Sequence, residues 1–126
     1  MMKTANINRR NNRSNDVQVA LSFQLAATAR RANFPAIVLA DELGLVIAKR
    51  GDTVICEQMA AMAPSLATRK KTFHGIVNFG GETMRLSVAP ITIGGALFYL
   101  CAKEGDRQEI TRELFTGGLG VSRILA

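Results

Sequence analysis

From Thr72 to Val88 the pattern has a period of two, and between Thr72 and Ala102 the chain turns back on itself twice at paired glycines. Phe73, Gly75, Val77 and Phe79 interleave with Thr72, His74, Ile76 and Asn78, and Met84, Leu86 and Val88 interleave with Arg85 and Ser87. A period of two sends successive side chains to opposite faces of a sheet. Gly80-Gly81-Glu82 and Gly94-Gly95 supply the turns, and Ala96 to Ala102 is a continuous apolar run. Short glycine turns join antiparallel neighbours, whereas parallel strands need a long crossover. An antiparallel meander over residues 72–78, 83–89 and 96–102 is therefore expected.

The segments before and after this meander complete the order. Val17, Leu21, Leu25 and Thr28 recur at helical spacing, with Ala20 and Ala32 beside them. Ser14 or Asn15 can cap such a helix, and Asp16 near its start and Arg30 and Arg31 near its end suit the helix dipole. Pro35 is expected to stop it, because the residue before a proline is pushed out of helical conformation. Ala36 to Ala40 and Leu45 to Ala48 are short apolar runs around Asp41-Glu42-Leu43-Gly44, which has hairpin chemistry. After Gly51, Asp52 or Thr53 caps a helix on which Ile55, Met59, Met62 and Leu66 form an apolar stripe. A last helix is expected from Asp106, with Ile110, Leu114, Val121 and Leu125 on one face. Its Gly117, Gly118 and Gly120 each cost about 1 kcal/mol relative to Ala, so that helix either bends or meets a neighbouring backbone closely. The order is α-β-β-α-β-β-β-α. A five-stranded antiparallel sheet covered by helices accommodates it, with the doubly apolar strands 36–40 and 96–102 in the middle.

A chain of 126 residues suits one domain; near this size roughly two thirds of the unfolded surface is buried. The net charge of +6 is concentrated at the N-terminus, where Lys3, Arg9, Arg10 and Arg13 stand in fourteen residues without an acid. Without those four, 12 basic residues face 10 acidic ones, and the body carries only +2. Residues 1–14 are rich in Asn and Arg and nearly free of large apolar groups, and are expected to be a disordered basic tail, with the domain spanning 15–126. No apolar run approaches the roughly 18 residues of a membrane span, and no secretory signal is legible. Cys56 and Cys101 are far apart and outside any CxxC pattern, so neither a disulfide framework nor a metal site is suggested. The cytoplasm is the expected location.

These features together resemble the roadblock / dynein light-chain domain family. The residues that carry the likeness are the strand pair Pro35–Ala40 and Leu45–Ala48 around Asp41–Gly44, the Gly51-Asp52 break before an alanine- and methionine-rich helix, and the final apolar strand followed by a helix. The likeness covers roughly residues 16–126. It implies a roadblock/profilin-like three-layer sandwich of the α+β kind, with helices on both faces of the sheet. It also implies a homodimer or heterodimer whose edge strands pair into one ten-stranded sheet, with the helix at 53–67 against its counterpart. Family members commonly regulate or scaffold Ras-like small GTPases, and the family carries no catalytic set or cofactor. The glycine run in the last helix departs from the family pattern.

Read on its own terms, the strand at 72–78 is the most polar of the five and fits an edge. It has no proline, and His74 is its only titratable group, so the edge is not blunted against pairing. Phe73, His74, Gly75, Ile76 and Val77 are therefore the expected dimer strand, with Ile55, Met59 and Met62 at or beneath the helix contact. Candidates for chemistry are few. There is no phosphate-binding GxxxxGK[ST] loop. His74 has no carboxylate or nucleophile with a sequence reason to meet it, and Asp41 and Glu42 fit a hairpin tip. Cys101 is expected to be inert, whereas Cys56 near a helix N-terminus is a candidate reactive thiol. The expected function is non-enzymatic: a dimeric module that regulates or scaffolds a Ras-like small GTPase. The alternative is a nucleic-acid or anionic-surface binding module using the tail, Arg30-Arg31 and Arg69-Lys70-Lys71, although no aromatic residues interleave with these for base stacking. A small-ligand sensor would require a buried polar constellation, which is not visible.

Overall fold

The computed structural model describes residues 2–68, 70–103 and 110–126, with side chains over 16–68, 70–103 and 116–126. The elements are α1 (Met2–Ala32), β1 (Ala36–Asp41), β2 (Val46–Arg50), α2 (Thr53–Leu66), β3 (Phe73–Phe79), β4 (Glu82–Ile93), β5 (Ala96–Lys103) and α3 (Ile110–Leu125). The strands form one sheet in the order β2-β1-β5-β4-β3, antiparallel throughout. This is the expected element order. The two doubly apolar strands, β1 and β5, are neighbours inside the sheet, and β2 and β3 are its edges.

Each face has its own core. Ile37 and Leu39 of β1 and Leu100 and Ala102 of β5 point toward α1 and α3, where Leu21, Leu25, Ala29 and Val121 cover them. Ala36, Val38 and Ala40 of β1 and Leu97, Tyr99 and Cys101 of β5 point the other way, toward Cys56, Met59, Ala60 and Ala63 of α2. Alternation along two fully covered strands therefore feeds two helix layers at once. A bulge in β2 adjusts this pattern: Leu39 pairs with Ala48 and Ala40 with Val46, so Ile47 is the extra residue. Ile47 and Ala48 then both serve the α1/α3 side.

Local signals set the ends of the elements, with three differences from expectation. The first concerns α1, which is helical from Met2, so its backbone runs through the segment expected to be a disordered tail and past the expected caps at Ser14 and Asn15. The chain contains neither Gly nor Pro before Pro35, so no residue interrupts a helix there. At the other end Asn33 takes φ +60° and Phe34 N donates to Ala29 O at 2.8 Å. That left-handed cap ends the helix two residues before Pro35, and Phe34 and Ala29 bury against one core. The second difference is β4, which continues to Ile93 through Pro90. Its pairing with β3 stops at Val88, while its pairing with β5 runs on to Ile93. Pro90 thus sits on a stretch with no strand on its β3 side, where a missing N–H is tolerated. Third, β2 reaches Arg50 rather than stopping at Ala48. The expected helix start at Asp106 and the basic residue Arg69 lie outside the described residues, as do the side chains of Ile110 and Leu114.

Asp52 caps α2 by accepting a hydrogen bond from Ile55 N at 3.0 Å. The β1–β2 turn is closed by Asp41, whose Oδ1 accepts from Leu43 N and Leu45 N, both at 2.9 Å. Gly44 completes it at φ +83°, where a Cβ would also lie 3.1 Å from Ala60 O and 3.2 Å from Ala61 Cα of α2.

The glycines of α3 answer to close packing. A Cβ on Gly117 would stand 2.8 Å from Thr28 Oγ1, 3.0 Å from Thr28 Cγ2 and 3.3 Å from Leu100 Cδ2, and one on Gly120 would collide with the side-chain amide of Gln24. Thr28 is fully buried and donates its hydroxyl to Gln24 O at 2.9 Å, so it has little room to yield. Gly118 is different, since a Cβ there would meet Ile91 Cδ1 at an ordinary 3.5 Å.

Both cysteines are buried in the α2-side core. Desolvation raises the Cys56 thiol above its ordinary value, and its Sγ lies against Ile37 O and Arg50 O. This corrects the reading of Cys56 as a reactive thiol: burial outweighs its place near the start of α2. Burial likewise pushes Cys101 up to about 12 from 9.0.

Two predictions follow from this packing. Gly117→Ala should destabilise the chain, because about 1 kcal/mol of helix propensity does not offset overpacking against Thr28, which typically costs 1–3 kcal/mol. Gly118→Ala should stabilise it by up to about 1 kcal/mol; urea midpoints that order the two variants the other way would refute this packing account. For Cys101, the folded chain holds a proton that the unfolded chain releases near pH 9.0. The resulting stability is complete below that pH and is lost as pH rises toward the folded value, at about 1.4 kcal/mol per unit. Urea titrations near pH 8 and pH 10 should show this loss in the parent chain and a smaller one in Cys101→Ala.

Candidate functional site

The residues that the sequence singles out for a dimer contact divide between β3, at one edge of the sheet, and α2. β3 is hydrogen-bonded to β4 alone, in the register Phe73 with Val88, Gly75 with Leu86, Ile76 with Arg85 and Val77 with Met84. Its outer edge has no strand partner among the described residues. Phe73, Val77 and Phe79 face the α2 side and are only partly buried. Helix α2 packs on β1, β5 and β2, toward the far half of the sheet. The apolar side chains of β3 are thus left incompletely covered.

On the other face of β3, His74, Ile76 and Asn78 are exposed, Ile76 to 64%. Here α1 packs on β2 and β1 and α3 on β4 and β5. His74 Nδ1 makes a 2.8 Å hydrogen bond with Ser87 Oγ across the β3–β4 pair. Ser87 is buried, so this bond satisfies a hydroxyl that would otherwise be costly to desolvate. The bond ties His74 to a serine hydroxyl, and among the described residues no carboxylate hydrogen-bonds to the imidazole.

On α2 the expected contact residues separate by depth. Met59 is fully buried in its own core, while Ile55 and Met62 are partly buried at the margin of the same cluster. Met59 therefore lies beneath the outer surface of α2, and Ile55 and Met62 are nearer to it. Asp41 is occupied by its turn, and Glu42 is exposed at the hairpin tip. Among the described residues no three His, Cys, Asp or Glu side chains come together as a metal site, and no helix is long and apolar enough to cross a membrane.

A second surface escaped the sequence reading. Val19 and Phe23 of α1 are 53% and 72% exposed. With Gln18, Ser22 and Ala26 they line a groove of about 360 Å³ against Lys49 and Arg50 of β2. The signal was a second apolar row at 19, 23 and 26, outside the buried stripe; it was masked because one apolar stripe already accounted for that helix.

No protein-family model and no curated protein matches the sequence. Solved structures do match the fold. An MglB with tetrameric arrangement superposes with a TM-score of 0.61 at 19% identity, covering 86% of this chain and 89% of that one. The roadblock/LC7 domain from Streptomyces avermitilis gives 0.59 at 19% identity, over 82% of this chain and 96% of that one. Myxococcus xanthus MglB gives 0.58 at 11% identity, over 85% and 88%. The antiparallel order β2-β1-β5-β4-β3, with α1 and α3 on one face and α2 on the other, is the roadblock fold.

Proposed function

We propose that this chain is a non-enzymatic, dimeric protein-interaction module that regulates or scaffolds a Ras-like small GTPase, or a related signalling protein, in the cytoplasm. The observation that carries the reading is the open β3 edge, unblunted and flanked by partly buried apolar side chains on the α2 side. Pairing β3 with β3 of a second copy would satisfy its free backbone groups and extend the sheet to ten strands. A two-fold arrangement of this kind uses the same patch on both copies. It would bring a second α2 toward Ile55, Met62, Phe73 and Val77, with Met59 supporting the contact from below.

The roadblock resemblance implies the GTPase as partner, and two of the matching structures are MglB proteins, one described by its tetrameric arrangement. A module without catalytic residues regulates such a partner by differential affinity: it shifts the GTPase toward whichever nucleotide-dependent conformation it holds better. The dimer supplies a rigid, symmetric platform for that contact.

Light scattering on the intact chain should give twice 13.6 kDa. Ile76→Asp should return it to the monomer mass, because pairing would bury an unpaired carboxylate. Ile76 is exposed within one copy, so the variant should keep its fold by circular dichroism. An unchanged dimer mass in that variant would reject β3 pairing. Dimeric parent chain should then retain a Ras-like GTPase in one nucleotide state over the other; equal or absent retention across such GTPases would reject the partner class.

A further inference from the structure

The second edge of the sheet, β2, lies at the opposite end from β3 and is hydrogen-bonded to β1 alone. Beside it α1 presents Val19, Phe23 and Ala26 at i, i+4 and i+7, which places them on one flank of the helix. Isolated exposed apolar residues are ordinary on protein surfaces. Here, however, three in a row border a groove whose other wall is Lys49 and Arg50 of β2, and Phe23 is 72% exposed. The groove ends at Lys49 and Arg50, neither of which has an ion-pair partner among the described residues. Asp52, the nearest acid in sequence, is committed to capping α2.

We propose that this groove takes an extended, acidic segment of a partner protein, which adds to β2 as a sixth strand. Strand addition supplies main-chain hydrogen bonds to a strand about 4.8 Å away, and alternate side chains of the added strand point to the same face. Those on the α1 side would rest on Val19, Phe23 and Ala26. A carboxylate on the α2 side of the segment would meet Lys49, and one on its α1 side would meet Arg50 at the end of the groove, which selects an acidic occupant by charge. The same cations disfavour a second copy of β2 at this edge, since basic residues on an edge strand repel their like. Charge blunting alone accounts for Lys49 and Arg50 but leaves the row on α1 without a purpose; an acidic strand accounts for both. The proposal does not depend on β3 pairing, because it concerns the other end of the sheet.

The probe is a short synthetic peptide alternating glutamate with leucine and valine, labelled for fluorescence anisotropy, with a lysine-for-glutamate counterpart as control. The acidic peptide should bind saturably and more weakly at high salt, and the lysine peptide should not bind. Affinity should fall about tenfold or more in Phe23→Ser and in the double variant Lys49→Glu, Arg50→Glu. All three positions are exposed, and circular dichroism would establish that the variants stay folded. Amide shifts on titration should centre on Val46–Arg50. No binding at peptide concentrations on the order of millimolar would overturn the proposal. So would equal affinity in the variants, or shifts centred on β3. A fall in solution mass on Phe23→Ser without peptide would overturn it too, by assigning the groove to a second copy.

Discussion

The antiparallel pairing of β1 with β5 is the contact on which the other elements depend. Ala36 pairs with Lys103 and Asp41 with Phe98, and between them the two strands contribute apolar side chains to both faces of the sheet. Neither strand could remain at an edge without exposing a row of Ile, Val and Leu to water, each worth roughly 1.5–3 kcal/mol when buried. Their burial requires helices on both faces, and the short connections place α1 and α3 on one side and α2 on the other. A one-residue slip would exchange the two cores, so the small Ala36 and Ala40 under α2 and the large Ile37 and Leu39 under α1 and α3 help to fix the register.

The α1–α3 layer shows how closely backbone can approach when side chains are removed. Gly117 brings α3 against the buried Thr28 of α1 with no room for a Cβ, and Gly120 lies under the side-chain amide of Gln24. In isolation these glycines weaken the helix, and that local penalty is offset by contact with a neighbour distant in sequence. Thr28 turns its hydroxyl back to Gln24 O, which lets a polar residue sit fully buried at the crossing. The departure from the family pattern in the last helix thus has a physical account in this layer.

The two sheet edges differ in chemistry. β3 is apolar on the α2 side and carries no strong charge along Phe73–Phe79. β2 ends in Lys49 and Arg50 beside Val19 and Phe23 of α1. The two edges stand at opposite ends of the five-stranded sheet.

Much of the fold was legible in the chain because period-two and helical patterns are local. The paired glycines fixed the meander, the double apolarity of Ala36–Ala40 and Ala96–Ala102 put those strands inside, and the polarity of Thr72, His74 and Asn78 put β3 outside. Other features depended on neighbours that no local window contains. The bulge at Ile47 exists because β1 sets its partner's register. Pro90 is tolerated in β4 only because β3 has already ended opposite Val88. The Cys56 thiol is raised above its ordinary value because the sheet buries it, although its place in α2 suggested reactivity. The glycines of α3 and the exposed row of Val19 and Phe23 acquire meaning only where α1 meets α3 and β2. The sequence alone determined which residues alternate and which strands must be central, since those follow from side-chain polarity and period. Which backbones approach closely, which thiols lose water and which apolar rows stay uncovered were decided by the tertiary structure, because each depends on contacts between segments far apart in the chain.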